Sequence, residues 1–213
     1  MNIDRIFIIN LEKREDRKQQ MINEMEKYNI TNYEFFKAIQ PDMSDIIEWN
    51  NKYCEHVKSD VLPHKFNGYK IGCLGCLKSH LEVCKLSLSK GYNNVLILED
   101  DTEFIQNFNK LNQYNELKYD MLYLAGSHLG VKDEYLSNIY KVVGTHTTGS
   151  YCINKKTMQY IVDNIQGYEK EIDVFYANNI QHKFQCYCII PHITQQRNGY
   201  SDIQQNNVCY KLI

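Results

Sequence analysis

The chain has 213 residues, of which 43% are hydrophobic and 23% charged, with a formal net charge of −2 at pH 7. This predicts a single folded domain over residues 1–213, with a polar C-terminal tail at 195–213, and argues against a nucleic-acid binder. Eight scattered cysteines indicate reduced thiols, and the absence of a signal peptide or a roughly 20-residue apolar run predicts a cytoplasmic location without transmembrane segments.

The first half of the chain alternates strands with helices. Met21, Ile22 and Met25 recur at helical spacing after the first strand. A later helix carries Leu77, Leu81, Cys84 and Leu88 on one face. The predicted elements are a strand at 5–10, a helix at 13–28, a strand at 33–39, a helix at 47–53 with Ser44 as N-cap, a long loop at 56–69, a helix at 72–89 and a strand at 94–98.

The second half is less regular. Its predicted elements are strands at 120–126, 140–143 and 150–153, helices at 155–165 and 173–179, and a last strand at 186–190. Strands that alternate with helices in this way argue for an α/β domain with a mixed central sheet.

An acidic cluster, Glu99-Asp100-Asp101, directly follows the apolar run Val95 to Leu98. Such a run is typical of a strand buried on both faces, and the carboxyl ends of such strands are where open α/β sheets bind ligands. Three carboxylates there suggest a cation and, with it, a phosphate-bearing ligand; Glu99 and Asp101 would project to the same side. The cluster equally suits the first turn of a helix, where acids are favoured.

Arg14 and Arg17 lie three residues apart on one helix face, just beyond the first strand. Two guanidinium groups in this position would meet a diphosphate or brace a nucleotide pocket. The alternative is a solvated charged face, since acidic residues alternate with them at positions 12, 15 and 16.

Cys73, Cys76, His80 and Cys84 form one helical stripe, so a zinc site has to be considered. Four ligands in line along one rigid helix cannot close a tetrahedron around one ion. Buried core cysteines are therefore the better interpretation, with His80 a core histidine or a donor at a pocket wall. His192, after the last strand, would favour Mn²⁺ if it joined the carboxylates, although a lone histidine is more often structural.

Taken in order, these motifs resemble glycosyltransferase family 25, which includes bacterial lipopolysaccharide glycosyltransferases and collagen galactosyltransferases and has relatives in large DNA viruses. The segments that carry the resemblance are 8–11 with Arg14 and Arg17, 36–39, 72–73 followed by Ser79-His80, 96–101, 150–155, 172–173, Pro191 and 201–203.

The resemblance implies a GT-A fold, a nucleotide-sugar donor that is usually a UDP-sugar, a divalent metal and inversion at the anomeric carbon. It makes Asp101 the firmest metal ligand, with Glu99 and His192 as further ligands. Asp173 is then the base that accepts the acceptor proton, although an Asp in this position also suits a helix N-cap. The residues implied in donor binding are Asn10, Leu11, Arg14, Arg17, Ser79, His80, Glu99 and Asp100.

With this resemblance, the sequence predicts a transferase dependent on Mn²⁺ or Mg²⁺. It would move a hexose, galactose or glucose, from a UDP-sugar to a hydroxyl of a glycan or of a glycosylated or hydroxylated protein. One rival is a catalytically silent module that binds a nucleotide sugar, because the acidic motif begins with Glu. The other is a metal-dependent phosphoesterase, against which the lack of a second carboxylate and histidine cluster counts.

Overall fold

The computed structural model describes residues 1–42, 44–45, 66–168 and 170–210. Its helices are α1 (Glu15–Lys27), α2 (Phe66–Ser89), α3 (Lys155–Asn164) and α4 (Ile172–Phe175), with a 3₁₀ helix at Phe108–Tyr114 and a π-helical turn at Tyr176–Ile180 that continues α4. Its strands are β1 (Arg5–Asn10), β2 (Tyr33–Lys37), β3 (Asn94–Glu99), β4 (Thr102–Phe104), β5 (Met121–Tyr123), β6 (Ser127–His128), β7 (Val131–Leu136), β8 (Ile139–Val142), β9 (Thr145–His146), β10 (Ser150–Asn154), β11 (Cys186–Ile189), β12 (Thr194–Gln196), β13 (Gly199–Ser201) and β14 (Asn206–Val208).

Eight of these strands form the central sheet, in the order β2-β1-β3-β10-β5-β11-β8-β7. Strand β1 is parallel to β2 and β3, and β11 is parallel to β5, whereas β10 and β8 run antiparallel to their neighbours. Only β10 and β8 therefore run against the common direction, which confirms the predicted mixed, mostly parallel sheet. The carboxyl ends of β1, β3, β5 and β11 consequently meet at one edge of the sheet.

Strand β3 is buried on both faces, as its apolar run predicted. Val95 and Ile97 belong to the core beneath α2 and α3, and Leu96 and Leu98 belong to the core beneath α1. All four side chains are fully buried. Because successive residues of a strand point to opposite faces, an uninterrupted apolar sequence is what a central strand between two helical layers requires. This strand fixes the position of the acidic cluster that follows it.

Helix α2 begins earlier than predicted, at Phe66, so the loop prediction is wrong over residues 66–69. A Cβ on Gly72 would lie 2.7 Å from the Ile203 Cα, and one on Gly75 would lie 2.7 Å from the Ile39 carbonyl oxygen. These glycines mark close approaches of other segments to the helix rather than its start. The remaining loop residues, 56–65, and the predicted helix at 47–53 lie outside the described residues.

Other differences also lie where local sequence is ambiguous. Strand β7 was missed because its described side chains at 133–136 are all exposed and do not alternate between apolar and polar, with Asp133 and Glu134 followed by Tyr135 and Leu136. The strand predicted at 120–126 ends at Tyr123, and the chain then leaves the sheet toward β6. Residues 195–210, predicted as a polar tail, contain most of β12 and all of β13 and β14. No helix in the described ranges offers an apolar stretch long enough to cross a bilayer.

Candidate functional site

A cavity of about 490 Å³ opens at the carboxyl edge of β1 and β3. The ends of these strands, helix α2, the residues just before β10, the start of α4 and the C-terminal strands all contribute to its wall. Its volume is in the range typical of small-molecule sites, and its position is the usual ligand site of an open α/β sheet. The predicted residues on its wall are Leu11, Arg17, Ser79, His80, Glu99, Asp100, Asp101 and Asp173.

Asp100 is held between β1 and α1. Its Oδ1 accepts a hydrogen bond from Arg17 Nη1 at 2.7 Å, and its Oδ2 accepts one from Asn10 Nδ2 at 2.8 Å. Burial raises the pKa of Asp100, and the Arg17 charge opposes this only in part. Arg17 and Asn10 thus hold the Asp100 carboxylate in place, and Arg17 itself lies on the cavity wall.

Asp101 is buried with weaker partners. Its closest side-chain contacts are Arg17 Nη1 and Gln196 Nε2, each at 3.4 Å. Burial, together with the charges of Glu99 and Asp100, raises the pKa of Asp101 to about 7. The buried Oε1 of Gln196 has no hydrogen-bond partner among the described residues. A poorly satisfied carboxylate beside an unsatisfied amide oxygen is a suitable donor set for a hard divalent cation. The alternative of a helix start is excluded, because Asp101 lies in a turn leading to β4.

The C-terminal segment closes one side of the cavity. Asp202 accepts from Arg14 Nη1 at 2.6 Å and pairs with Lys13 Nζ at 2.8 Å, and Arg17 Nη2 donates to the Tyr200 carbonyl at 2.8 Å. Arg14 also binds Asp16, so its guanidinium is occupied by internal partners and does not line the cavity. The two arginines therefore attach the last strands to the site.

Glu99 faces helix α2 and the residues before β10. Its Oε1 accepts from Thr148 Oγ1 at 2.6 Å and lies 3.2 Å from His80 Nε2. Burial alone would raise the pKa of Glu99, but the His80 and Thr148 contacts hold the pKa below its usual value. His80 is fully buried, and its Nδ1 lies 2.7 Å from the Tyr151 hydroxyl, which continues to Tyr176. His80 is therefore both buried in the core and part of the cavity wall, where its Nε2 faces Glu99.

Asp173 lies across the cavity, in the first turn of α4. Its Oδ2 accepts from the Thr147 backbone N–H at 3.0 Å, its Oδ1 accepts from the Val174 N–H at 2.8 Å, and His146 Nδ1 lies 3.8 Å away. Burial opposes ionisation, but His146 and the backbone donors keep the pKa of Asp173 below its usual value. The N-cap position belongs to Glu171, so Asp173 is not the helix cap.

Thr147 has a left-handed backbone, with φ of 73°. This conformation is a genuine outlier for a β-branched residue, and such strain is concentrated at functional sites. It turns the Thr147 N–H toward Asp173 while the next side chain, Thr148, binds Glu99. One strained turn therefore orients two carboxylates of the cavity.

Two predicted residues have other surroundings. Ser79 reaches the cavity wall, yet its hydroxyl is used internally, because it donates to the Gly75 carbonyl at 2.6 Å and accepts from the Ile39 N–H at 2.8 Å. His192 does not line the cavity; its ring packs on His128 with centroids 5.1 Å apart. The structure thus brings Glu99 and Asp101 to one site but places His192 elsewhere.

Gln196, Thr147 and Thr148 are site residues that sequence reasoning missed. Gln196 is 95 positions beyond Asp101 and is brought to it by the pairing of β12 with β4. No local motif marks such a residue. Thr147 and Thr148 lie in the polar stretch 144–149 between two predicted strands, and this polar stretch was the only available signal.

Comparisons with known proteins agree with this geometry. The family model described as glycosyltransferase family 25 (LPS biosynthesis protein) matches residues 3–129, more than half of the chain. The chain belongs to glycosyltransferase family 25. It is 27% identical over 146 residues to a protein of Rattus norvegicus named "Probable inactive glycosyltransferase 25 family member 3", covering 63% of this chain and 24% of that protein.

A second family 25 relative is the Mus musculus protein named "Procollagen galactosyltransferase 2". It is 25% identical over 177 residues, covering 76% of this chain and 28% of the relative. The chain thus spans about a quarter of the length of these relatives. A solved structure of a glycosyltransferase involved in the glycosylation of the major capsid of PBCV-1 superimposes with a TM-score of 0.51 at 8% identity, covering 96% of this chain and 97% of that one. This likeness confirms the predicted GT-A-like fold.

Proposed function

We propose that this chain is a metal-dependent glycosyltransferase that moves a hexose from a UDP-sugar to a hydroxyl group of a glycan or a modified protein, with inversion. The observation that carries the proposal is the excess negative charge of Asp100 and Asp101 on a cavity at the carboxyl edge of the sheet. Two buried carboxylates share one guanidinium there, so a divalent cation would complete the balance of charge.

The residues around Asp101 suit such a cation. Asp101 and the unsatisfied amide oxygen of Gln196 offer hard oxygen ligands, whereas Glu99 Oε1 is already engaged by Thr148 and His80. When bound, Mn²⁺ or Mg²⁺ would neutralise the charge that develops on the departing diphosphate. The chain's own part is to hold these oxygens in place through Arg17 and β12.

The cavity also has a wall suited to the nucleotide. Apolar side chains line the side formed by the ends of β1 and β2 and by α2, namely Leu11, Ala38, Ile39, Pro41 and Ile71. A planar base can bury its faces against such a surface while polar groups at the rim set its orientation. This arrangement leaves the acidic side of the cavity for the diphosphate and its cation.

Asp173 is the proposed base on the acceptor side. In the reaction, the acceptor oxygen forms the new bond to the anomeric carbon, the bond from that carbon to the diphosphate oxygen breaks, and the acceptor proton passes to a carboxylate oxygen. Thr147, Val174 and His146 keep Asp173 ionised and oriented. A base must be ionised before the proton arrives, and these contacts satisfy that requirement at neutral pH.

The experiment is a measurement of UDP release from a panel of UDP-sugars with Mn²⁺, with and without sugar acceptors. We expect release with at least one donor, and a loss of at least about 100-fold in Asp101→Asn, on the scale of losing one electrostatic contact to the transition state. Asp173→Asn should suppress transfer to an acceptor while leaving UDP binding intact. The exposed-site variant Thr31→Val is the matched control. No turnover with any donor, or equal rates in wild type and Asp101→Asn, would reject the proposal.

A second candidate is a module that binds a nucleotide sugar without turning it over. It is favoured by the word "inactive" in the names of three similar mammalian proteins. Mn²⁺-dependent UDP binding with no turnover across donors and acceptors would support it, because the same cavity would then serve binding alone.

A further inference from the structure

We propose that Cys76, His80 and Glu99 form a second metal site, one that binds a thiophilic divalent ion such as Zn²⁺. Their ligand atoms, a thiol sulfur, an imidazole nitrogen and a carboxylate oxygen, all lie within 4.8 Å of one another. All three residues line the cavity. The site goes beyond the proposed transferase activity, because it uses neither Asp101 nor Gln196.

The structure answers the objection that ligands in line along one rigid helix cannot surround an ion. Cys76 and His80 are four residues apart on α2, so they lie on the same face one turn apart, but Cys73 and Cys84 are not part of the cluster. The third ligand, Glu99, comes from β3, a different element. Three ligands from two elements leave room around the ion, and the fourth position can face the cavity, as in zinc sites with one open position.

The distances are close to those that zinc requires. Zinc lies about 2.3 Å from sulfur and about 2.0–2.1 Å from nitrogen, so its tetrahedral ligand atoms are roughly 3.3–3.8 Å apart. His80 Nε2 and Glu99 Oε1 are already 3.2 Å apart. The Cys76 sulfur lies 3.9 Å from the hydroxyl of Thr148, which itself binds Glu99 Oε1 at 2.6 Å. Side-chain adjustment of Cys76 is enough to complete the set.

Surrounding contacts orient the ligands as metal sites usually require. A zinc-bound histidine almost always donates its other ring N–H to an outer partner. His80 Nδ1 lies 2.7 Å from the buried Tyr151 hydroxyl, which binds Tyr176 at 2.9 Å. With the proton on Nδ1, the Nε2 lone pair faces Glu99, and the ion takes the place of a proton between them. Thr148 fixes Glu99 from the other side.

The charges also favour a soft divalent ion. A thiolate and a carboxylate with a neutral imidazole balance the two charges of Zn²⁺, so the occupied site has no net charge, as a largely buried position requires. Binding releases the thiol proton of Cys76, together with any imidazole proton on Nε2. The sulfur ligand selects zinc over Mn²⁺ or Mg²⁺, which prefer oxygen. The chemistry of the ligands would therefore direct Zn²⁺ to the Cys76 cluster and Mn²⁺ or Mg²⁺ to Asp101.

The test is a titration of the reduced, metal-free protein with Co²⁺, followed by displacement with Zn²⁺. Cys54 and Cys209 are first replaced by Ser, so that neither of these two thiols gives a signal; Cys209 is exposed and Cys54 lies outside the described residues, whereas the other thiols outside the cluster are buried. We expect a thiolate-to-cobalt charge-transfer band with tetrahedral visible bands, both removed by Zn²⁺. Cys76→Ser should abolish the charge-transfer band and weaken Zn²⁺ binding at least about 100-fold.

Matched variants make the result decisive. Cys73→Ser lies on the same helix, outside the cluster, and should keep the band. Glu99→Gln should keep the band but weaken Zn²⁺ binding at least about tenfold, which tests the site even if Cys76→Ser does not fold. Asp101→Asn should leave Zn²⁺ binding unchanged. The zinc-site proposal and the transferase proposal can therefore fail independently, and the two outcomes are distinguishable. The absence of a charge-transfer band in the parent protein, or equal effects of Cys73→Ser and Cys76→Ser, would overturn the inference.

Discussion

The carboxylates on two walls of the cavity have pKa values shifted in opposite directions. On the acid wall, formed by Asp100 and Asp101 with Arg17, burial raises the pKa of both acids. On the turn wall, formed by Glu99 and Asp173 with the strained turn 146–148, the pKa of both acids is held below the usual value. All four carboxylates face the same cavity, so the difference comes from their immediate partners.

The partners explain the contrast. On the turn wall each acid has its own donors, since Glu99 has a hydroxyl and an imidazole and Asp173 has two backbone N–H groups. On the acid wall two acids share Arg17, and Asp101 has only contacts at 3.4 Å. A carboxylate with its own donors is ready to act as an oriented base, whereas a carboxylate short of donors is ready to accept a cation.

The largest expected effect comes from removing the guanidinium group of Arg17 from the acid wall. Arg17→Met would leave Asp100 and Asp101 buried without their charged partner, and breaking a buried pair in this way costs about 3–5 kcal/mol. We expect a loss of this size in the free energy of unfolding, measured by urea denaturation at pH 7.5.

Lys13→Met is the control for Arg17, because Lys13 is an exposed cation that pairs with Asp202. An exposed ion pair contributes about 0–1 kcal/mol. Adding Asp101→Asn to Arg17→Met should recover part of the stability, since one uncompensated charge disappears. Equal losses in the Arg17 and Lys13 variants would contradict the account of the acid wall.

Asp101→Asn should stabilise the metal-free protein at high pH. Because the folded-state pKa of Asp101 is raised to about 7, ionising this acid costs folding free energy as pH rises from about 4, and the full cost is present above 7. A shift of this size in an isolated group corresponds to about 4 kcal/mol. The gain in unfolding free energy that we expect at pH 8 is smaller, about 1–3 kcal/mol, because the Asn side chain also loses the charge contact with Arg17.

The gain should shrink as pH falls below 7 and be nearly gone at about pH 4, where the Asp101 carboxyl is protonated in the folded protein and largely protonated in the unfolded chain as well. Urea denaturation in EDTA at the two pH values measures this difference, and it needs no donor or acceptor. A variant that is no more stable than wild type at pH 8 would mean that the acid wall is not short of positive charge.

A smaller effect is expected on the turn wall. Thr148→Val keeps the shape of the side chain but removes the hydroxyl that donates to Glu99 Oε1. Because His80 still contacts this oxygen, we expect a loss of about 1–2 kcal/mol in unfolding free energy. Thr31→Val, at an exposed position, should change stability by less than about 0.5 kcal/mol. A loss as large as that of Arg17→Met would remove the contrast between the walls.

Much of the fold was predictable because it rests on local patterns. The apolar run of β3 and the helical spacing of Met21 and Met25 specify burial directly, and both were found in the structure. The order of motifs also identified the family, which the match over residues 3–129 confirms. The burial of β3 and α1 depends on the hydrophobic period of a single segment, and the family assignment depends on the order of motifs; both can be read directly from the sequence.

The sequence indicated the acids of the cavity wall and also Leu11, Arg17, Ser79 and His80, but not the contacts that join distant segments there. Gln196 reaches Asp101 through the pairing of β12 with β4, and Glu99 reaches Cys76 and His80 across the gap between β3 and α2. These contacts depend on tertiary packing, which no single segment encodes. The same limit applies to the glycines of α2, Gly72 and Gly75, because the segments that approach them, at Ile203 and Ile39, are distant in sequence.

The most direct test of the central claim is calorimetric titration of the protein with UDP, with and without Mn²⁺. If the acid wall holds a cation that binds the diphosphate, Mn²⁺ should raise the UDP affinity of the wild-type protein at least about tenfold and should leave that of Asp101→Asn unchanged. An affinity that does not depend on Mn²⁺, or an Asp101→Asn variant that keeps the full gain, would contradict the claim.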